Sequence, residues 1–225
     1  TRVEPGSDRR WTILPGDREL ADGVRGLLLE YGATCSIGSA HDAAAARATD
    51  ILVVSNARDA TGASDACAEL LALVQALLVN PGASPRIWVV TRGATPAPGA
   101  MTRSGAAQAP LAAFARVLGL EHPELFGRLI DLDPAAATTD PRTLLAEILQ
   151  DDVEDQVAIR QGTRYAQRVD HVADGPAPAL QLHGDATYLI TGGLGRIGLM
   201  VARELVARGA RHLCFVSRGG VVTPQ

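Results

Sequence analysis

Along this chain, short β-branched or apolar runs alternate with longer stretches in which apolar positions recur every three or four residues. Trp11-Thr12-Ile13-Leu14 reads as a strand, and Arg18 to Tyr31 as a helix with Leu20, Val24, Leu27, Leu28 and Tyr31 on one face. Gly32 is placed to end it. Thr34 to Ile37 predicts a second strand, the alanine run 43–46 a helix, and Ile51 to Val54 a buried strand. Asp65 to Val79 reads as an apolar helix capped by Ser64 or Asp65, with Leu70, Leu71, Val74, Leu77 and Leu78 as core or as an inter-subdomain face. Then follow a strand at Arg86 to Thr91, a helix at Pro110 to Leu118, a strand at Phe126 to Leu132, and a helix at Thr143 to Leu149 after Pro141. Val157 to Ile159 and Tyr165 to Val169, separated by Gln161-Gly162, predict an appended hairpin.

Strands separated by helices of this length pair in parallel through βαβ crossovers, which predicts an α/β doubly wound sheet. Ala173 to Gly184 is rich in Pro, Gly and Ala and reads as a linker. Beyond it, Thr187 to Ile190 reads as a strand, Leu199 to Arg208 as a helix and His212 to Val216 as a strand, a second and complete βαβ unit.

Composition narrows the classes. With 225 residues there is room for one large domain or two small ones, and 47% hydrophobic with 20% charged residues is an ordinary globular balance. A net charge of -4 argues against a general binder of nucleic acid or anionic membranes. No uninterrupted apolar run reaches the roughly 18 residues of a membrane span, and the opening TRVEPGSDRRW lacks a signal-peptide core; a cytoplasmic protein is expected. Cys35, Cys67 and Cys214 are widely spaced, and the five histidines lack HxxxH or HExxH spacing, so no metal site is expected. All 21 basic residues are arginine, which excludes the lysine-dependent Walker A phosphate loop.

Other candidates read as structural. Asp131 and Asp133 look like a strand end entering a turn before Pro134, Asp151, Asp152, Glu154 and Asp155 like a solvated acidic segment, and Cys214 like a buried thiol in an apolar strand.

The chemistry concentrates after the linker. Between strand and helix lies Thr191-Gly192-Gly193-Leu194-Gly195-Arg196-Ile197-Gly198, with Gly192, Gly195 and Gly198 in TGxxGxxG spacing. In such a turn the first glycine allows the sharp exit from the strand, the second admits a pyrophosphate, and the third packs helix on sheet. The helix N-terminus then offers N–H groups and a positive dipole end to phosphates. An NAD site carries Asp or Glu at the end of the next strand; here Ser217-Arg218 stands there. A guanidinium suits the 2′-phosphate of NADP, so the pattern favours NADPH.

The stretch TYLITGGLGRIGLMVARELVARGARHLCFVSRGG, residues 187–220, resembles the ketoreductase region of modular type I polyketide synthases, in the short-chain dehydrogenase superfamily. RIWVVTRGA (86–94), PLAAFARVLGLEHPELFGRLIDLDP (110–134) and RYAQRV (164–169) resemble the structural subdomain of those ketoreductases. The resemblance implies a truncated Rossmann-like structural subdomain at 1–172 that binds no cofactor, a linker at 173–184, and the start of an NADP-binding Rossmann subdomain at 185–225. The turn Leu14-Pro15-Gly16-Asp17-Arg18 fits a non-binding role, because it sets an acid where a phosphate would lie. The resemblance places cofactor contacts at Thr191, Gly192, Gly193, Gly195, Arg196, Ile197, Gly198, Ser217 and Arg218. It also implies NADPH reduction of a β-ketoacyl thioester carried by an acyl carrier protein, with neighbouring synthase domains as partners. Position 196 is more often glycine or alanine in the family.

Reduction needs an acid for the developing alkoxide, and the family supplies it as tyrosine with a lysine four residues on, plus a serine. Tyr31, Tyr165 and Tyr188 are followed at that spacing by Cys35, Val169 and Gly192. No catalytic residue is therefore assigned, and the chain alone is expected to be inactive. It reads as the N-terminal portion of a larger ketoreductase, or else as a pseudo-ketoreductase scaffold. A nucleotide-sugar epimerase shares the glycine turn but would open on it.

Overall fold

The computed structural model describes residues 8–45, 47–79, 84–98, 102–136, 140–171 and 180–218. The chain divides into two compact units, Thr1–Val169 and Asp170–Gln225.

In the first unit the elements run β1 (Arg10–Pro15), α1 (Arg18–Glu30), β2 (Thr34–Ile37), α2 (Ala40–Ala45), β3 (Asp50–Val54), α3 (Ala60–Leu78), β4 (Arg86–Arg92), α4 (Arg103–Glu121), β5 (Phe126–Leu132), α5 (Pro141–Ile148), β6 (Gln156–Arg160) and β7 (Thr163–Ala166). The seven strands form one sheet in the order β2-β1-β3-β4-β5-β6-β7, parallel except for the antiparallel β6–β7 hairpin. Gln161 (φ +50°) and Gly162 (φ +75°) make the hairpin turn, whose twist requires positive φ at both central residues.

Strand alternation distributes the core to both faces. Ile51, Val53, Ile87, Val89 and Leu129 pack with Leu70, Leu73, Val74 and Leu77 of α3 and Leu111, Ala115 and Leu118 of α4. Their neighbours Leu52, Val54, Trp88, Val90 and Ile130 face the other way, onto Leu20, Val24 and Leu28 of α1 and Leu144, Leu145 and Ile148 of α5. Every residue of β3 is buried, as expected for a parallel strand covered on both sides. By length and a mean hydropathy of 1.2, α3 would suit a bilayer, but its apolar stripe packs in this core.

Helix starts differ most from the sequence reading. α3 begins at Ala60, capped by Asp59, whose Oδ1 accepts from the Gly62 N–H at 2.9 Å, not by Ser64 or Asp65. α4 begins at Arg103, where Thr102 Oγ1 accepts from the Gly105 N–H at 3.0 Å. Pro110 therefore lies inside that helix and not at its first turn. In both cases a good cap and buried downstream contacts outweigh a local breaker. Tyr31, Leu71 and Leu78, read as part of their helices' apolar faces, are exposed at the margins of those stripes.

Asp131 does stand near a strand end and Asp133 in the turn after it, where the Asp133 Oδ1 accepts from the Ala135 N–H at 2.8 Å, but Asp131 also has a structural task. Asp131 is fully buried: Oδ1 accepts from Thr91 Oγ1 (2.7 Å) and the Ala94 N–H (2.8 Å), and Oδ2 accepts from Thr95 and from Arg160. Arg160 also donates to the Leu132 carbonyl at 3.0 Å, pinning β6 across the C-terminal end of β5. The segment after α5 is crosslinked and not merely solvated. Buried Arg128 donates to Glu147 at 2.7 Å and to Asp152 at 2.5 Å, while Arg164 bonds Glu147 at 2.8 Å and pairs with Asp152 at 2.7 Å. Arg168 reaches Glu154 at 2.5 Å. Burial pulls the Asp152 carboxyl upward, but the Glu154 N–H and the guanidiniums of Arg128 and Arg164 overcome this and hold it below its ordinary range. The hydrogen bond from Arg168 lowers Glu154 likewise. These contacts need partners tens of residues apart, which spacing cannot reveal.

In the second unit, β8 (Thr187–Thr191), α6 (Arg196–Ala207) and β9 (His212–Val216) form a parallel two-stranded sheet with its crossover helix. α6 starts at Arg196, three residues before the apolar pattern indicates, because the glycine turn itself supplies its first turn. Cys214 is exposed, against the expectation of a buried thiol: it faces the side of β9 opposite Leu213, the residue that lines the α6 groove. Most of the expected linker at 173–184, from 173 to 179, lies outside the described residues.

Candidate functional site: the glycine turn after β8

Thr187↔His212 through Thr191↔Val216 pair in register, so the C-terminal ends of β8 and β9 lie side by side. The turn continues this pairing by one bond, from the Gly192 N–H to the Val216 carbonyl at 2.7 Å. Gly192 then takes φ +65°, a conformation that favours glycine, and turns the chain out of the sheet. A second bond, from the Gly195 N–H to the Gly192 carbonyl at 2.9 Å, closes the loop onto the helix.

The glycines divide the work. A Cβ on Gly198 would lie 2.5 Å from Gly193 Cα and 2.6 Å from the Gly192 carbonyl oxygen, so helix and turn touch there backbone to backbone. A Cβ on Gly193 would meet Phe215 at 2.2 Å. Around Gly192 there is nothing within 4 Å, and Gly195 would meet only the Gly192 carbonyl at 3.2 Å. The outer side of the turn is open where the inner side is packed. Gly195 is the N-cap of α6 and makes no side-chain capping bond, which leaves the first-turn N–H groups for an outside acceptor. The donors, the dipole and the bare glycine surface together suit a phosphate.

Each expected contact residue can now be placed. Thr191 ends β8, Gly192, Gly193 and Gly195 form the turn, and Arg196, Ile197 and Gly198 open α6, with Arg196 and Ile197 exposed. Ser217, half-buried, and Arg218, exposed, follow β9 at the same end of the strand pair. Phe215 is the residue the sequence reading passed over. It fixes glycine at position 193, and the pairing Ile190↔Phe215 brings it under the turn.

The equivalent turn in the first unit is closed. Gly16 donates to the Val54 carbonyl at 2.7 Å, as Gly192 does to Val216, but a Cβ there would lie 2.2 Å from that oxygen where one on Gly192 meets nothing within 4 Å. Asp17 caps α1 with its own carboxylate, accepting from the Leu20 N–H at 3.2 Å, and stands 3.7 Å from Arg92. This is the β1/β3 point where strand order reverses, at which open α/β sheets take ligands.

Residues 10–169, well over half of the chain, match the family described as "Polyketide synthase extender module SpnB, Rossmann fold domain", and residues 186–225 match the "KR domain" family. The chain belongs to the ketoreductase region of polyketide synthases. This ketoreductase region is 41% identical over 155 residues to polyketide synthase GfsA of Streptomyces halstedii, covering 68% of this chain and 2% of that protein. It is 31% identical over 221 residues to the pikromycin synthase component PikAIII of Streptomyces venezuelae, covering 96% of this chain and 14% of that protein. Among solved structures, the first ketoreductase of the tylosin synthase is 33% identical with a TM-score of 0.74, over 93% of this chain and 48% of that one. A structure of A-type ketoreductases is 30% identical with a TM-score of 0.72, over 98% and 51%. The chain thus spans about half of those solved ketoreductases and a small part of the curated synthases. Membership decides against the epimerase reading.

Proposed function

We propose that this ketoreductase region contributes the phosphate-binding half of an NADPH site to a polyketide synthase that reduces a β-ketoacyl group, held on an acyl carrier protein, to a β-hydroxyacyl group. The open, uncapped turn before α6 carries the reading. Backbone N–H groups of Arg196, Ile197 and Gly198 receive the pyrophosphate, Thr191, Gly192, Gly193 and Gly195 shape the approach, and Ser217 and Arg218 receive the 2′-phosphate. Bound there, NADPH supplies hydride. Residues 185–225 begin the cofactor subdomain, and residues 1–172, whose own switch point is closed, form the structural subdomain that binds no cofactor, joined to it by a linker at 173–184.

The product oxyanion needs a proton, and no tyrosine of this chain has a lysine four residues on. That acid therefore comes from outside these 225 residues, and the isolated chain turns nothing over. A turn this open supports cofactor binding over a purely scaffolding role.

Titration calorimetry of the 225-residue chain tests the reading. NADPH is expected to bind more tightly than NADH, and Arg218→Ala to remove roughly tenfold of that preference. Equal binding of the two, or none of either, would sink it.

A further inference from the structure

Arg196 breaks two local rules at once. It is a cation in the first turn of α6, at the positive end of the helix dipole, where acidic residues are favoured. It also directly follows the N-cap glycine of a turn whose exposed positions Gly192 and Gly195 carry no side chain. Its guanidinium is exposed and has no hydrogen bond or ion pair among the described residues. By contrast Arg208, at the other end of the same helix, sits where the dipole favours it and bonds Glu204 at 2.6 Å.

Helix geometry sets the lean of the side chain. Helical Cα–Cβ bonds tilt toward the N-terminus, so a residue in the first turn projects back over the turn that precedes it. The turn that Arg196 leans toward has open space beside Gly192, where a Cβ meets nothing within 4 Å. Arg218 leaves from the neighbouring strand end instead, beyond the Thr191↔Val216 pair.

Resting on the dinucleotide reading above, we propose that Arg196 closes over the pyrophosphate as a charged clasp, and that it sets affinity without contributing to the choice between NADPH and NADH. The two arginines then divide the ligand: Arg196 holds the phosphates common to both dinucleotides and Arg218 the phosphate that only NADPH has. A cation unfavourable to the empty helix is retained because the ligand's charge compensates it.

The test titrates NADPH and NADH separately into the wild-type chain, Arg196→Ala, Arg196→Lys and Arg218→Ala at low salt. Arg196→Ala is expected to weaken both dinucleotides by the same factor, roughly tenfold, while Arg196→Lys keeps most of the affinity. Arg218→Ala weakens NADPH alone. The empty Arg196→Ala chain melts no lower than wild type, which separates a binding role from a structural one. If wild type binds and Arg196→Ala binds both dinucleotides equally well, the clasp is wrong and the dinucleotide reading stands. If Arg196→Ala weakens NADPH alone, or Arg196→Lys is as weak as alanine, the assignment to the pyrophosphate is overturned. If wild type binds neither, both proposals fail.

Discussion

At Pro15-Gly16-Asp17 the chain leaves β1 for α1, and at Gly192 to Gly195 it leaves β8 for α6. Each turn ends a parallel strand and points a helix N-terminus away from it. In the first, Asp17 takes the Leu20 N–H with its own carboxylate, and the Val54 carbonyl lies where a Gly16 Cβ would stand. In the second, the cap has no side chain and the glycine surface faces open space. The same supersecondary element therefore serves as a joint in one place and as a receptor in the other. What separates them is the residue at the cap, a carboxylate against a hydrogen atom, together with the backbone that packs on Gly16 but not on Gly192.

The sealed end of the first sheet extends beyond its turn, and its largest test lies there. Asp131→Ala leaves Arg160 buried without its counter-charge, and an expected loss of about 3–5 kcal/mol follows. Both tryptophans, Trp11 and Trp88, lie in the first unit, so denaturation followed by tryptophan fluorescence reports that unit by itself. A loss under about 1 kcal/mol would show that the seal is not polar in origin.

A matched pair of substitutions compares the two turns directly. Gly16→Ala and Gly198→Ala each force a Cβ onto backbone, at 2.2 and 2.5 Å, with an expected cost of about 1–3 kcal/mol to the unit concerned. Gly198→Ala is expected to abolish NADPH binding by calorimetry, and Gly16→Ala to leave it unchanged. Reversed effects would break the distinction between joint and receptor. A smaller effect comes from Asp17→Ala, where losing the cap costs about 1 kcal/mol. That variant should gain no affinity for phosphate or dinucleotide, since backbone of Val54 and Asn56 still packs against Gly16; if it does gain affinity, the carboxylate alone had kept the first turn closed.

The mildest prediction concerns acid. Asp152 and Glu154 lie below their ordinary values of 3.8 and 4.5 in the folded chain, because of Arg128, Arg164, Arg168 and a backbone N–H. A carboxyl lowered by folding stabilises at pH above its unfolded value and loses that contribution as pH falls through its folded one. The denaturation midpoint of the first unit should therefore be level above about pH 5 and fall below it. Arg168→Ala should lessen the fall, since Glu154 then titrates nearer 4.5. A midpoint that is flat into acid would remove the arginine–carboxylate lattice from the account.

Much of this was legible in one dimension. Periodicity located all nine strands and the six helices among the described residues, since strand alternation and helical recurrence are properties of neighbours in sequence. The glycine spacing marked the receptor turn for the same reason: three positions in eight residues impose the backbone path. The starts of α3 and α4 were less legible, because Gly62 and Pro110 are unfavourable locally and only packing against the sheet overrules them. Tertiary structure alone decided that Asp131 is a buried crosslink and that Asp152 and Glu154 are held by arginines. It also added to the acid already legible in the β1 turn the backbone of Val54 packed against Gly16. Each of those outcomes depends on groups such as Val54, Arg92 and Arg160, brought together from distant parts of the chain by the strand order, and no local pattern encodes that order.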